Sequence, residues 1–167
     1  MAAKPTREER RDERTTEIVD IAARLFAEHG YAETGVSELC DAVGLGRGAL
    51  YHYIESKDRL LGRIHQRVTE ILIPHGQAIV DGPGSAPDEL RAFGELTIGT
   101  IAAYPDHVWV FMHERKGLSG ELREQLRVQR HAFESQLASI LEHGVHEGSF
   151  AVDDTRLAVL AWFGMHN

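Results

Sequence analysis

The chain has 167 residues, 43% of them hydrophobic, with a formal net charge of −8, which is enough for one or two small domains with a real core. No apolar run reaches membrane-span length, and the opening MAAKPTREERRDER lacks the apolar stretch of a secretory signal, so a cytoplasmic protein is expected. Cys40 is the single cysteine, which excludes an internal disulfide and a cysteine metal cluster; it reads as a small buried apolar residue, with redox sensing the weaker alternative.

In chain order, residues 1–14 form a mixed basic and acidic stretch. KPTREERRDER carries five basic and four acidic residues and is expected to be a flexible arm that grazes phosphate at most. From Thr15 to His29, Ile18, Ile21, Ala22, Leu25 and Phe26 recur at three and four, which predicts a first helix closed by Gly30. From Thr34 to Val43 the inward positions are Val36, Leu39 and Val43, behind a Thr34 whose hydroxyl is placed to cap. Gly44 sits where the chain must turn within a residue or two, and Leu45 plugs the corner. From Gly46 to Ile54, Leu50 and Ile54 point inward, while Arg47 and Tyr51 share a different face with Gly48 and His52 close to it.

These elements outline a helix-turn-helix whose second helix presents a reading head. Arg47 offers a planar fork of donors matching guanine O6 and N7 in a major groove, and small Gly48 and Ala49 allow close approach. Tyr51, His52 and Tyr53 add polar groups for phosphates or base edges. Ser56 caps the next helix, and Lys57 stands at its first turn, where a cation and free amides can both meet phosphate. Taken singly, an LYHY run is ordinary aromatic packing and Arg47 a solvated charge; the ordered set with its turn and cap carries the reading. The negative total charge does not oppose it. Residues 42–63 hold four cations against Glu55 and Asp58, whereas residues 64–167 carry 8 basic and 14 acidic residues.

Leu60, Leu61, Ile64, Val68, Ile71 and Leu72 continue one helix up to Pro74, which should kink or end it before the DGPGSAP loop. Further helices are predicted over Asp88–Ala103, with Leu90, Phe93, Leu96, Thr97 and Ile101 inward; over Asp106–Lys116; and over Ser119–Val145, ended by Gly144 and Gly148. Asp153 or Asp154 should cap a last, apolar helix, RLAVLAWFGMHN. Large side chains in this half suggest an effector pocket, with Trp109, Met112 and Phe133 as apolar contacts and Arg115 or Arg130 as anchor for an anionic group. Most residues on such stripes are packing rather than pocket.

The run from Ala22 to Val36, A-x-x-L-F-A-E-H-G-Y-x-x-T-x-V, followed by G-L-G-R-G-A-L-Y-H-Y-I-E-S-K-D-x-L-L, resembles the amino-terminal domain of the tetracycline-repressor (TetR) family over roughly residues 15–63. The resemblance implies that Thr34 and Lys57 hold phosphates, that Arg47 faces bases, and that Tyr51 and Tyr53 contact backbone or base edges. It further implies an effector-binding carboxyl-terminal domain, with acyl-CoA thioesters among the effectors of some relatives. Gly46 departs from the family's usual capping Ser, and Tyr53 from a common His.

Neither a metal nor a cofactor is expected. His143 and His146 share a face at i and i+3, and His107 and His113 lie elsewhere, but no grouped ligand spacing accompanies them. No nucleophile elbow, phosphate loop or zinc-protease motif is present. The expectation is therefore an all-α protein that is no enzyme: a flexible arm at 1–14, a three-helix helix-turn-helix domain at 15–63, and a helical-bundle effector and dimerisation domain at 64–167. Its function would be effector-released repression at operator DNA as a homodimer. The rival is a small-molecule-binding helical protein or enzyme in which the helix-turn-helix is incidental. The apolar last helix implies a twofold interface through Leu157, Leu160, Ala161 and Gly164, and a chain that is either truncated or incompletely observed past Asn167, or a weakened dimer prone to association.

Overall fold

Thr6 Oγ1 accepts from the Glu9 amide while the Glu9 carboxylate accepts from the Thr6 N–H, and this reciprocal cap starts α1 at Arg7–His29. The computed structural model describes residues 6–165, apart from the side chains of Arg115 and Met165, and the described residues contain helices and no strand. The helices that follow are α2 (Val36–Val43), α3 (Arg47–Ile54), α4 (Lys57–Val80), α5 (Ala86–Ala103), α6 (Pro105–His113), α7 (Gly120–Glu147) and α8 (Thr155–Met165), with a 3-10 turn at Arg115–Gly117. The fold is all-α, as expected.

The opening stretch differs from expectation. Residues 7–14, expected as a flexible arm, are the first two turns of α1, because the Thr6–Glu9 box supplies the start signal that the charge run obscured. Residues 1–5 lie outside the described residues.

Two compact units divide the chain, Met1–Gln66 with Asp106–Arg123, and Arg67–Pro105 with Glu124–Asn167. In the first, Ile18, Ala22 and Phe26 of α1, Leu39 of α2, Leu50 and Ile54 of α3, and Leu60, Leu61 and Ile64 of α4 are fully buried. At roughly 1.5–3 kcal/mol per fully buried large apolar side chain, this set fixes the helix-turn-helix scaffold. The stripe foreseen on α1 is therefore its core face, with Ile21 only half-buried. α6 and the 3-10 turn also belong to this unit, so it is larger than the expected 15–63. His107 of α6, 5% exposed, brings Nε2 to 3.2 Å from Asp20 Oδ1 on α1.

In the second unit, Phe93, Leu137 and Ile140 are fully buried, and Phe93 stacks on Phe133 at 4.6 Å. Here the inward face of α5 is more polar than its hydrophobic pattern predicted. Glu89, Thr97 and Thr100 are buried while Leu90, Leu96 and Ile101 are half-buried. The polar groups are satisfied locally: Thr97 donates to Phe93 O at 2.8 Å, Thr100 to Leu96 O at 2.7 Å, and Glu89 meets His143 at 3.0 Å.

Two expected helix ends are also corrected. Pro74 does not end α4, which runs on to Val80, and Gly144 lies inside α7, whose end falls at Glu147 beside Gly148 at φ 81°. Gly144 is glycine for a packing reason, since a Cβ there would run into the Phe150 ring. Asp154 accepts from the Leu157 amide at 2.9 Å, which selects it over Asp153 as the cap of α8. The last two residues of the predicted terminal helix, His166 and Asn167, lie outside the described residues.

Candidate nucleic-acid interface

The turn that aims α3 is built from backbone hydrogen bonds. Gly44 closes α2 in the left-handed region (φ 66°, ψ 34°), its N–H directed to Asp41 O, while Leu45 N donates to Cys40 O at 3.0 Å. Arg14 of α1 donates to Val43 O, so the last carbonyls of α2 are held by the scaffold. Cys40 is free and half-buried rather than fully enclosed. α3 then starts at Gly46, which offers no side-chain cap, so the first amides of the helix stay open.

On α3 the two faces separate cleanly. Leu50 and Ile54 are fully buried, while Arg47, Gly48, Ala49 and His52 are exposed and Tyr51 and Tyr53 half-buried. The Arg47 guanidinium lies 5.9 Å from the Tyr51 ring centroid, and His52 meets Tyr53 edge-on at 5.8 Å. Six of the eight residues expected to touch DNA thus stand together on one helix with its apolar side turned inward. A Cβ at Gly48 would meet nothing within 4 Å, so the surface there is open.

Thr34 is placed differently from expectation, and Lys57 has a partner that spacing did not show. Thr34 is 1% exposed, and both its N–H and its hydroxyl are directed at Gly30 O, at 3.2 and 2.8 Å. It locks the α1–α2 connection, and the residue at the start of α2 is Gly35 instead. In this conformation neither donor of Thr34 is offered to the outside. Lys57 begins α4 as expected, behind a Ser56 whose hydroxyl accepts from the Arg59 amide at 3.0 Å. Its ammonium, however, donates to Tyr31 O and lies 4.3 Å from the Tyr31 ring centroid.

Tyr31 is a residue that motif reasoning used only as a letter. Its N–H donates to Glu114 Oε1 at 3.0 Å, its hydroxyl donates to Asp58, and a Cβ at Gly117 would collide with its ring. Burial, then the Asp58 hydrogen bond, push the phenol well above its ordinary range. Glu55 was also missed: it closes α3 at φ 64°, a conformation side chains rarely adopt, with Arg63 3.3 Å from its carboxylate.

The expected effector residues fall in both units. Trp109 (39% exposed, stacked on His113 at 4.5 Å) and half-buried Met112 belong to the first unit. Phe133 (7% exposed) and half-buried Arg130 lie one turn apart on α7 in the second. The Arg115 side chain lies outside the described residues. Among the described residues no group of three or more His, Cys, Asp or Glu is placed to hold a metal ion, and no helix is long and apolar enough to cross a membrane.

A buried scaffold, a left-handed glycine turn and an exposed second helix define a helix-turn-helix DNA-binding regulator. The chain belongs to the TetR family: residues 18–64 match the model for bacterial regulatory proteins of the tetR family, and residues 83–167 that for the tetracyclin repressor-like C-terminal domain. It is similar to the HTH-type transcriptional repressor KstR2 of Rhodococcus jostii, 33% identical over 147 residues that cover 87% of this chain and 72% of that one. Its fold matches the TetR-family regulator PfmR from Thermus thermophilus, with a TM-score of 0.82 at 32% identity over 89% of this chain and 81% of that chain. It likewise matches AibR solved with isovaleryl coenzyme A and operator DNA, with a TM-score of 0.82 at 24% identity over 91% and 83%. The chain is a transcriptional regulator of the repressor type and not an enzyme.

Proposed function

We propose that α3 reads operator DNA through Arg47, Gly48, Ala49, Tyr51, His52 and Tyr53, with Lys57 on a phosphate, and that a small acyl-bearing effector releases it. The observation that carries the DNA half is the division of α3 into a fully buried side at Leu50 and Ile54 and an exposed run from Arg47 to Ala49. Lys57 spends one donor on Tyr31 O, and its ammonium has two more to offer a phosphate. Two copies joined through α8 would set two reading helices about 34–36 Å apart on successive major grooves. Leu157, Leu160, Ala161 and Gly164, at i, i+3, i+4 and i+7, are all exposed and form the stripe for that contact.

For the effector, support comes from the second unit and from relatives. Phe93, Phe133, Trp162 and Phe163 form a connected aromatic cluster, and half-buried Arg130 stands one turn from Phe133. That pairing suits a hydrophobic acid or its coenzyme A thioester. AibR was solved with isovaleryl coenzyme A, and a relative 24% identical over 149 residues is the fatty acid metabolism regulator protein of Bacillus subtilis. Trp109 and Met112 lie in the other unit. Selection of bound sequences from random duplexes, followed by titration of the selected operator with acyl-CoA thioesters of graded length, tests both halves. A palindromic site and loss of binding with one thioester class are expected; no enriched site refutes the DNA half, and indifference to every thioester refutes the effector half.

A further inference from the structure

The first two turns of α1 and the last turn of α3 border an open cleft of about 820 Å³, and among the described residues its walls are Arg7, Glu8, Arg10, Arg11, His52 and Tyr53. All six belong to the first unit. The lining sets three guanidinium groups against one carboxylate, in a chain whose formal net charge is −8. Positions 7, 10 and 11 stand at i, i+3 and i+4, so the three arginines leave α1 on one face. All three are exposed, as is His52.

The anion preference here comes from side chains and not from the helix start. Thr6 Oγ1 already holds the Glu9 amide, and the Glu9 carboxylate adds a negative charge beside the first turn. Hydrogen bonding to the Thr6 backbone and hydroxyl holds the Glu9 carboxyl below its usual range, so this charge is present at neutral pH. The exposed arginine forks carry planar pairs of N–H donors that match phosphate oxygens. The opposite wall is the helix that carries Arg47, with His52 and Tyr53 common to the cleft and to the reading face.

We infer that this cleft seats the sugar–phosphate backbone of the operator beside the groove read by α3, with Arg7, Arg10 and Arg11 as phosphate contacts. Duplex DNA is the occupant because the cleft is continuous with the reading face through His52 and Tyr53, so a strand leaving the groove enters it. The inference rests on the DNA-reading role of α3 proposed above. Phosphate contacts of this kind add affinity and salt dependence without adding base preference. Glu8 opposes them from the same wall and tempers the affinity.

The test is fluorescence anisotropy of the full chain on a labelled duplex carrying the selected operator, over about 0.05–0.2 M salt, a range in which counterion release is legible. The combined variant Arg7→Gln, Arg10→Gln, Arg11→Gln keeps good helix formers in α1. It should flatten log K against log salt by about 0.9 for each phosphate that an arginine no longer neutralises in a half-site, weaken binding on the order of tenfold, and leave base preference unchanged. Glu8→Gln should move affinity in the opposite direction. A variant with Arg91, Arg123 and Arg127 changed to Gln removes the same charge from exposed arginines that do not line the cleft and should keep the wild-type slope. An unchanged slope in the cleft variant, or an equal loss in the control variant, overturns this inference alone. Absence of salt-dependent duplex binding by the wild-type chain overturns it together with the DNA-reading role.

Discussion

Arg47 stands at the first position of α3 with no acidic partner in its turn, and its guanidinium rests near the Tyr51 ring. Arg47→Ala should relax specificity at one base position per half-site and cost about 1–3 kcal/mol for the missing bidentate pair, as read by competition titrations with single-base operator variants. Lys57→Ala should weaken all sequences alike. The reading face was legible because spacing alone separates Arg47 and Tyr51 from Leu50 and Ile54. The attachments of Thr34 and Lys57 were not, since each depends on a carbonyl brought close only by the fold. At the far end of the chain, the buried Glu89 carboxylate hydrogen-bonds His143 at 3.0 Å, with Glu147 at 3.5 Å from the other ring nitrogen. The Glu89 hydrogen bond, opposed by desolvation and helped by both carboxylate charges, raises the His143 pKa above its ordinary 6.5. A raised folded-state pKa means that the stabilisation is fully present below the unfolded value of 6.5 and is lost as pH rises through the folded value. The difference in melting temperature between wild type and His143→Gln should therefore be largest below pH 6.5 and close on the alkaline side.

At the scale of the element, α4 shows where local rules yield to packing. Pro74 reads as a kink or an end, and the helix continues for six further residues to Val80. Carbonyls of the turn before the proline accept side-chain hydrogen bonds, Ile71 O from His75 at 2.7 Å and Ile73 O from Gln136 at 2.9 Å. Gln136 comes from α7, distant in sequence, so no window along α4 could have shown it. Close approach at Gly76 accompanies this bond: a Cβ there would collide with Gln136 Oε1 and lie 3.3 Å from the Phe93 ring. Gly76→Ala should thus destabilise by about 1–3 kcal/mol despite the better helix propensity of alanine, measured by urea unfolding. A Gly76→Ala chain as stable as wild type would show that α7 yields easily. The same logic explains α5, where threonine hydroxyls bonded to carbonyls four residues back let polar side chains occupy buried positions.

At the scale of the whole molecule, all-α texture and the helix-turn-helix were readable from periodicity, capping signals and one long motif. The division into units was not, because α6 and the 3-10 turn join the first unit through contacts such as His107–Asp20 and Glu114–Tyr31 that sequence distance conceals. α8 faces two ways. Val159 is buried and Trp162 and Phe163 meet Phe93 and Phe133, whereas Leu157 and Leu160 are 63% and 60% exposed. Leu157→Glu with Leu160→Glu should leave the inner face and the helix content intact while abolishing dimers in sedimentation velocity. Operator binding should fall in parallel, since one reading helix can no longer hold the second near its half-site. A dimer of wild-type strength in this variant would move the twofold contact elsewhere.

The reciprocal cap between Thr6 and Glu9 also governs how the chain meets a protease. Trypsin must draw an extended backbone through its own active site, so the bonds after Arg7, Arg10, Arg11 and Arg14 are cut only as fast as the opening turns of α1 fray. Thr6→Ala removes the acceptor for the Glu9 amide, costs about 1 kcal/mol of helix stability, and should speed nicking at these arginines several-fold in mass-spectrometric time courses. An unchanged nicking rate would mean that fraying is limited elsewhere along α1. A sequence that looks from its composition like a digestible tail is guarded by two side chains, and the lifetime of its first peptide fragments measures how well.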